Sequence, residues 1–343
     1  MTQLERLQTT GIRRLGTAKR GFRYVGPGGT RVGSQDRARI NALRIPPAWT
    51  DVAVNSAAGG LLQAVGNDAA GRWQYLYHAN HIARAERKKF DRLLKFAEAL
   101  PNMRRVVARE LSKPGLGRER VMACILRILS TCLIRPGSQV YASENGTYGL
   151  ATLRPKHVSV KGDLVSFDFK GKSQVQHHQE LKDRRVARVV RDLLKQPAKE
   201  VFKYQNGNGE FVDVKRRHIN SYIKEVMGAD FSAKDFRTWA GTLVCACALA
   251  RAANDLTDSR MNKKQRIVAA IKETAETLGN TPAVCRSAYI CPAILVSFEK
   301  GRTITHSFNS AEQLVNYRGT RLHEAERALL RLLKQNSNGL SRV

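Results

Sequence analysis

The feature that most constrains this chain is a change of period near Asn80. Before it, apolar and aromatic residues come in short runs punctuated by turn residues: GFRYVGPGGTRV, IPPAWTDVAV, GLLQAVGND and GRWQYLYH. Such runs predict extended strands. After it, most apolar residues recur at helical spacing. A chain with that break is predicted to be α+β, with a small β-rich N-terminal domain and a mainly α-helical C-terminal domain. The boundaries read as a polar, basic arm at 1–20, a sheet domain at 21–79, a linker helix at 80–100 and the larger domain at 101–343.

Inside the first domain, 35–43 reads as a short helix stopped by Pro46-Pro47, and Val52 and Val54 alternate as a strand would. Asn67-Asp68 through Gly71 reads as a hairpin loop. Its return strand places Trp73, Tyr75 and Tyr77 on one side and Arg72, Gln74, Leu76 and His78 on the other. Aromatic residues on a sheet are more often core than contact, but Gln74 and Tyr75 carry groups suited to base edges or phosphates.

Beyond Asn80, helices are predicted at 81–99, 103–111 and 118–134. The charged cluster Arg84–Lys89 lies on the first, either tracking a backbone or merely solvated. A second small sheet follows at 148–153, 157–160, 164–169 and 175–180, with Lys172 at the tip of its last hairpin. Further helices are expected at 183–195, 214–227, 233–251, 261–279 and 282–300, and a long amphipathic one at 310–336.

Lys and Arg number 59 against 29 Asp and Glu, a net charge of +30 spread along the chain. That excess implies a polyanionic partner, and its distribution favours nucleic acid over a lipid surface. No apolar run reaches the roughly 18 residues of a membrane span, and no signal peptide is evident. The six cysteines include no CxxC pair, so buried thiols in a reducing, cytoplasmic compartment are expected, with neither zinc nor disulfides.

The cationic residues Arg135, Lys172, Lys234 and Arg237 precede Tyr289 in the segment LGNTPAVCRSAYI. A lone tyrosine is ordinarily structural, an arginine at a helix end a dipole partner, and a turn lysine a solubility device. Together they contain what a phosphodiester displacement needs: a nucleophile, charge for the non-bridging oxygens and a proton for the leaving oxygen.

With these residues laid out, the chain resembles the poxvirus-like type IB DNA topoisomerases, in the bacterial branch of that family. The resemblance runs from about Gly21 to the C-terminal helix. It is carried by Gly21-Phe22-Arg23-Tyr24, IPPAW at 45–49, GRWQYLYH at 71–78, Leu133-Ile134-Arg135-Pro136-Gly137, Gly149-Leu150, Phe169-Lys170-Gly171-Lys172, Lys234-Asp235-Phe236-Arg237-Thr238, and Gly279-Asn280-Thr281-Pro282 ahead of Ala288-Tyr289. The family's hairpin lysine follows its first arginine by the 37 positions that separate Arg135 from Lys172. The resemblance implies a C-shaped clamp around duplex DNA, a monomer that uses no cofactor, metal or ATP. Tyr289 would be the nucleophile, Arg135 and Arg237 the phosphate clamp, and Lys172 the general acid assisted by Lys234. Gln74, Tyr75 and Tyr77 would contact DNA, with Arg72 and Tyr141 as further contacts.

One position departs from the family, which has histidine where this chain has Asn280, nine residues before Tyr289. Asparagine is a neutral donor where histidine can be a charged one, so a weakened donor role is expected. Two rivals share these residues. A tyrosine recombinase or integrase has the same chemistry but normally His-x-x-Arg, where this chain has Lys234-x-x-Arg237. A catalytically impaired, architectural DNA-binding protein would make Asn280 a mark of decay.

Overall fold

The computed structural model describes residues 1–254, 261–310, 313 and 317–340, without the side chains of 83, 86, 87, 90 and 337–340. The chain divides into two compact units, Met1–Lys89 and Phe90–Val343. The predicted class is observed: a small antiparallel sheet in the first unit and a mainly helical second.

In the first unit, β1 (Ile12–Thr17), β2 (Gly21–Val25), β3 (Thr50–Val54), β4 (Leu62–Asn67) and β5 (Trp73–Tyr77) form one sheet in the order β2-β1-β3-β4-β5. Two small cores flank it. Ile40 of α2 (Ser34–Ala42) joins Ile12, Val52, Val54 and Ala64 in one, and Leu7 of α1 (Gln3–Thr10) joins Ala53, Leu62 and Val65 in the other. Residues 1–20 are therefore not an arm. Thr2 and Glu5 cap α1 reciprocally, and Ile12 pairs with Val54. The guanidinium of Arg14 lies 4.1 Å over the Phe22 ring and donates to the carbonyls of Pro46 and Trp49, so the supposed arm holds the IPPAW segment in place.

Among its expected elements, the second unit differs in four places. The two helices expected at 81–99 and 103–111 are one, α3 (Ala79–Glu110), with Pro101 inside it. An interior proline costs roughly 3 kcal/mol. Leu93, Phe96, Ala97, Leu100, Met103 and Val107 keep one buried stripe through it, and at about 1.5–3 kcal/mol per large buried side chain that burial wins. The charged cluster begins this helix, and the side chains of Glu86 and Arg87 lie outside the described residues.

Residues 148–153 form no strand. They make a turn whose amides from Leu150 and Ala151 bond the carbonyls of Arg135 and Pro136, at 3.0 and 2.8 Å. The expected helix at 282–300 is two, α10 (Pro282–Ala288) and α11 (Pro292–Glu299), because Pro292 opens a new helix after the Tyr289–Cys291 break. The final helix, α12 (Glu324–Leu340), starts later than expected, and the Glu326 carboxylate takes the amide of His323 at 2.8 Å. Residues 311–312 and 314–316 of the expected helix lie outside the described residues.

The remaining elements include a helix at 139–144 and a hairpin at 203–213 that were not predicted, with the others in the predicted order. They are α4 (Arg118–Cys132), α5 (Gln139–Glu144), the three-stranded sheet β6 (Val158–Lys161), β7 (Leu164–Lys170) and β8 (Gln176–Lys182), α6 (Arg184–Leu194), a small hairpin of β9 (Lys203–Gln205) and β10 (Phe211–Asp213), α7 (Arg216–Met227), α8 (Ala233–Asn254) and α9 (Lys263–Leu278). Helices α4 and α8 are the hydrophobic centre: almost every residue of α8 from Ala233 to Ala250 is buried. All six cysteines are free and buried, and burial pushes the thiols of Cys132 and Cys245 up to about 12. No described helix is long and apolar enough to cross a membrane.

Candidate active site

Arg135, Arg237, Asn280 and Tyr289 come from separate segments and meet at the ends of α4, α9 and α10. Helix α4 stops because Leu133 takes a left-handed conformation (φ 56°). The loop that follows is held by the 149–152 turn. Gly149 is needed there for space, since a β-carbon on it would lie 2.5 Å from the Arg135 carbonyl oxygen. From this braced loop the Arg135 guanidinium donates to Oδ1 of Asn280 at 2.5 Å.

Arg237 sits inside α8 and is only 4% exposed. Its Nη2 donates to the Leu278 carbonyl at 2.7 Å and its Nη1 to the Leu133 carbonyl, while Nε has no hydrogen-bond partner among the described residues. Leu133 caps α4 and Leu278 ends α9, so one buried guanidinium satisfies carbonyls at the negative ends of two helices. Burial, then the charge of Arg135, lowers its pKa from the usual arginine value.

The GNTP stretch is an inter-helix turn with each residue in a physical role. Gly279 ends α9 in the left-handed conformation (φ 58°), Thr281 caps α10 by accepting from the Val284 amide, and Pro282 opens it. Between them Asn280 accepts from Arg135, and its amide nitrogen reaches the Leu278 carbonyl at 3.4 Å. Its observed partner is thus a clamp guanidinium, which a carbonyl oxygen can orient.

Tyr289 caps the C-terminal end of α10, half-buried, with the Arg237 guanidinium 5.1 Å from its ring centre. Burial alone would raise the phenol's pKa. Charge and hydrogen bonding from Arg237, then from Arg135, outweigh it and leave the pKa below the usual tyrosine value. The Tyr289 carbonyl accepts from the Thr242 hydroxyl at 3.1 Å, and the Thr242 hydroxyl oxygen in turn accepts from the Cys291 amide at 3.2 Å. Gly241 lets this segment approach α8, since a β-carbon there would lie 3.1 Å from Cβ of Tyr289. Helix α8 therefore positions both Arg237 and the tyrosine.

Lys172 and Lys234 are differently placed. Lys172 is exposed in the Lys172–Gln174 turn between β7 and β8, and Lys234 is exposed in the first turn of α8, three residues before Arg237. Among the described residues neither side chain makes a hydrogen bond or ion pair.

On the first unit, Tyr75 and Tyr77 are 42% and 41% exposed with rings stacked 6.4 Å apart, so the core reading of these aromatics fails for them. Trp73, by contrast, packs on the core beneath α1. Arg72 and Gln74 both bond the Asp68 carboxylate, at 3.0 and 2.9 Å, and its hydrogen bonds with Arg72 bring Asp68 down to about 2. Tyr141 is exposed on α5. Tyr317, the next tyrosine along, donates to the Arg321 carbonyl and lies beneath Arg104, a structural contact.

Sequence reasoning missed Gly241, Thr242 and His177. The signal for Gly241 was present: a glycine inside a helix costs roughly 0.5–1 kcal/mol against alanine and so marks a close approach. Nothing in the sequence marked Thr242 or His177.

Residues 78–312 match the family described as eukaryotic DNA topoisomerase I, catalytic core. Residues 21–68 match bacterial DNA topoisomerase IB, N-terminal domain. A DNA topoisomerase 1B of Acanthamoeba polyphaga mimivirus is 35% identical over 76% of this chain and 79% of its own length. A DNA topoisomerase I of monkeypox virus is 27% identical over 75% of this chain and 80% of its own, and a DNA topoisomerase 1B of vaccinia virus gives the same figures. The helical core with its buried arginines is thus a topoisomerase I core. More narrowly, the chain belongs to the type IB DNA topoisomerase family, and the N-terminal match places it in the bacterial branch.

Proposed function

We propose that this chain relaxes supercoiled duplex DNA by cutting one strand, letting it rotate and resealing it, through a 3′-phosphotyrosyl intermediate. Tyr289 Oη attacks the scissile phosphorus as its proton leaves to solvent. The new O–P bond forms as the P–O5′ bond breaks. Lys172, assisted by Lys234, gives its proton to the departing 5′ oxygen. Arg135 and Arg237 balance the charge that builds on the non-bridging oxygens, and Asn280 holds Arg135 toward them. Resealing is the reverse. The phosphotyrosyl bond keeps the energy of the diester, so no ATP enters, and the protein's own cations do the work asked of a metal elsewhere.

The observation that carries this reading is the convergence of two guanidinium groups on a half-buried phenol, bringing its pKa down against the effect of burial. The +30 charge, the exposed Arg72, Tyr75, Tyr77 and Tyr141, and the half-buried Gln74 fit duplex DNA as the substrate. We take the protein to act as a monomer, in the cytoplasm at the bacterial nucleoid. Plasmid relaxation with excess EDTA and no ATP tests the activity. Tyr289→Phe should bind duplex DNA as the wild type does, yet form no SDS-resistant adduct and relax nothing. A covalent adduct in that variant would place the nucleophile elsewhere.

A further inference from the structure

His177 stands at the site and has no task in the chemistry proposed above. It lies on β8 directly opposite Phe169 of β7, and the two rings stack 5.3 Å apart at 17°. Two glycines close around the imidazole. A β-carbon on Gly171 would lie 2.4 Å from its Cδ2, and one on Gly279 would lie 2.6 Å from its Cε1, distances that real β-carbons essentially never show. Gly279 is also required by its φ of 58°, but Gly171 has a φ of −97° that any residue adopts. Room for the imidazole is therefore what demands glycine at 171. One glycine immediately precedes Lys172 and the other immediately precedes Asn280. A single ring thus joins the base of the lysine turn to the turn that orients Arg135.

We propose that His177 is a positioning residue, which docks the Lys172 hairpin onto the Gly279–Asn280 turn through the contacts of its ring with Gly171, Gly279 and Phe169. The proposal rests on the reading of Lys172 as general acid. The ring nitrogens of His177 make no hydrogen bond among the described residues, so shape and stacking do the docking. Burial, then the charges of Arg135 and Arg237, push its pKa down, since both disfavour a third positive charge there.

Single-turnover cleavage tests this on a duplex carrying a mapped cleavage site, with either the ordinary linkage or a bridging 5′-thio linkage, whose thiolate departs without a proton. A misplaced acid costs about 10- to 100-fold. His177→Ala should lose that much on ordinary DNA and return to within about threefold of wild type on the thio linkage. His177→Phe, which keeps a flat ring, should lose less than about tenfold on ordinary DNA. Gly171→Ala, which pushes the ring aside, should behave as His177→Ala, and combining the two should be no worse than His177→Ala alone. Full activity of His177→Ala, or an equal loss on both linkages, would overturn the proposal. So would a His177→Phe variant as impaired as His177→Ala, since the ring nitrogens would then be what matters.

Lys172→Ala is the control for the underlying reading. If it is not rescued by the thio linkage, Lys172 is not the acid, and docking is then judged by amide hydrogen exchange across 170–176. Faster exchange there in His177→Ala, with 158–168 unchanged, upholds docking; unchanged exchange across 170–176 removes it.

Discussion

Arg237 and Lys172 show two ways of presenting a positive charge. Arg237 is buried in α8, with both terminal nitrogens bonded to carbonyls at the ends of two helices. Lys172 is exposed on a turn in which Ser173 and Gln174 both have positive φ, at 63° and 60°. Each such residue costs of order 1–3 kcal/mol, so the turn keeps its shape only through what holds it. A hydrogen bond from Gln174 to the Asn145 carbonyl at 2.7 Å fastens its far side, and His177 sits under its base. The difference fits the two roles proposed. A charge clamp is most effective when fixed beforehand, because no reorganisation is then needed as the phosphorane forms. An acid is needed only while the leaving oxygen departs and can sit on a hairpin.

The largest expected effect sets the two directly against each other. Lys172→Ala should lose about 10²- to 10⁴-fold in cleavage on ordinary DNA and recover most of it on a bridging 5′-thio substrate. Arg135→Ala and Arg237→Ala should stay impaired on both, because the phosphorane charge remains whatever leaves. Equal rescue of all three variants would erase the distinction.

A second effect sharpens the buried side. Arg237→Ala should lose about 10²- to 10³-fold in cleavage rate. It also strips the partner from the Leu133 and Leu278 carbonyls, so thermal unfolding should show a loss of about 1–3 kcal/mol for each carbonyl that water cannot reach. Lys172→Ala should leave the melting temperature unchanged. A stability loss for both variants would make the hairpin structural.

Asn280 lies between the two extremes. Asn280→Ala should lose on the order of 10²-fold, by freeing Arg135 and removing an amide donor from the site. Asn280→His should stay active, since a neutral imidazole can accept from Arg135 through one nitrogen. An alanine variant as fast as wild type would leave Asn280 as a turn residue only.

The smallest effect is a shift in pH dependence. Burial raises the Tyr289 phenol's pKa, and Arg237 and Arg135 together more than reverse that. Removing one positive charge disfavours the phenolate, so in Arg135→Gln the rising limb of the cleavage-rate profile should move to higher pH, while Arg135→Lys should leave it nearer the wild type. A limb that stays put in Arg135→Gln would mean that Arg135 acts on the phosphate without tuning the nucleophile.

The sequence by itself determined the two-part architecture, the GNTP turn and the placing of Lys172 on a hairpin, because each depends on near neighbours. Period 2 giving way to helical spacing, a glycine cap, a threonine cap and a proline start are local rules, and the observed turns obey them. Only the tertiary structure decided the rest. Pro101 stays helical because a buried stripe outweighs its cost, residues 148–152 give up strand pairing to brace Arg135, and residues 12–17 enter the sheet with α1 packed against it. Arg237 finds its carbonyls 104 and 41 residues away in the chain, and His177 finds Gly279 on another element. The physical reason is the same throughout. A buried polar group or a close ring contact is satisfied by whatever the fold brings near it, and no local pattern names that partner in advance.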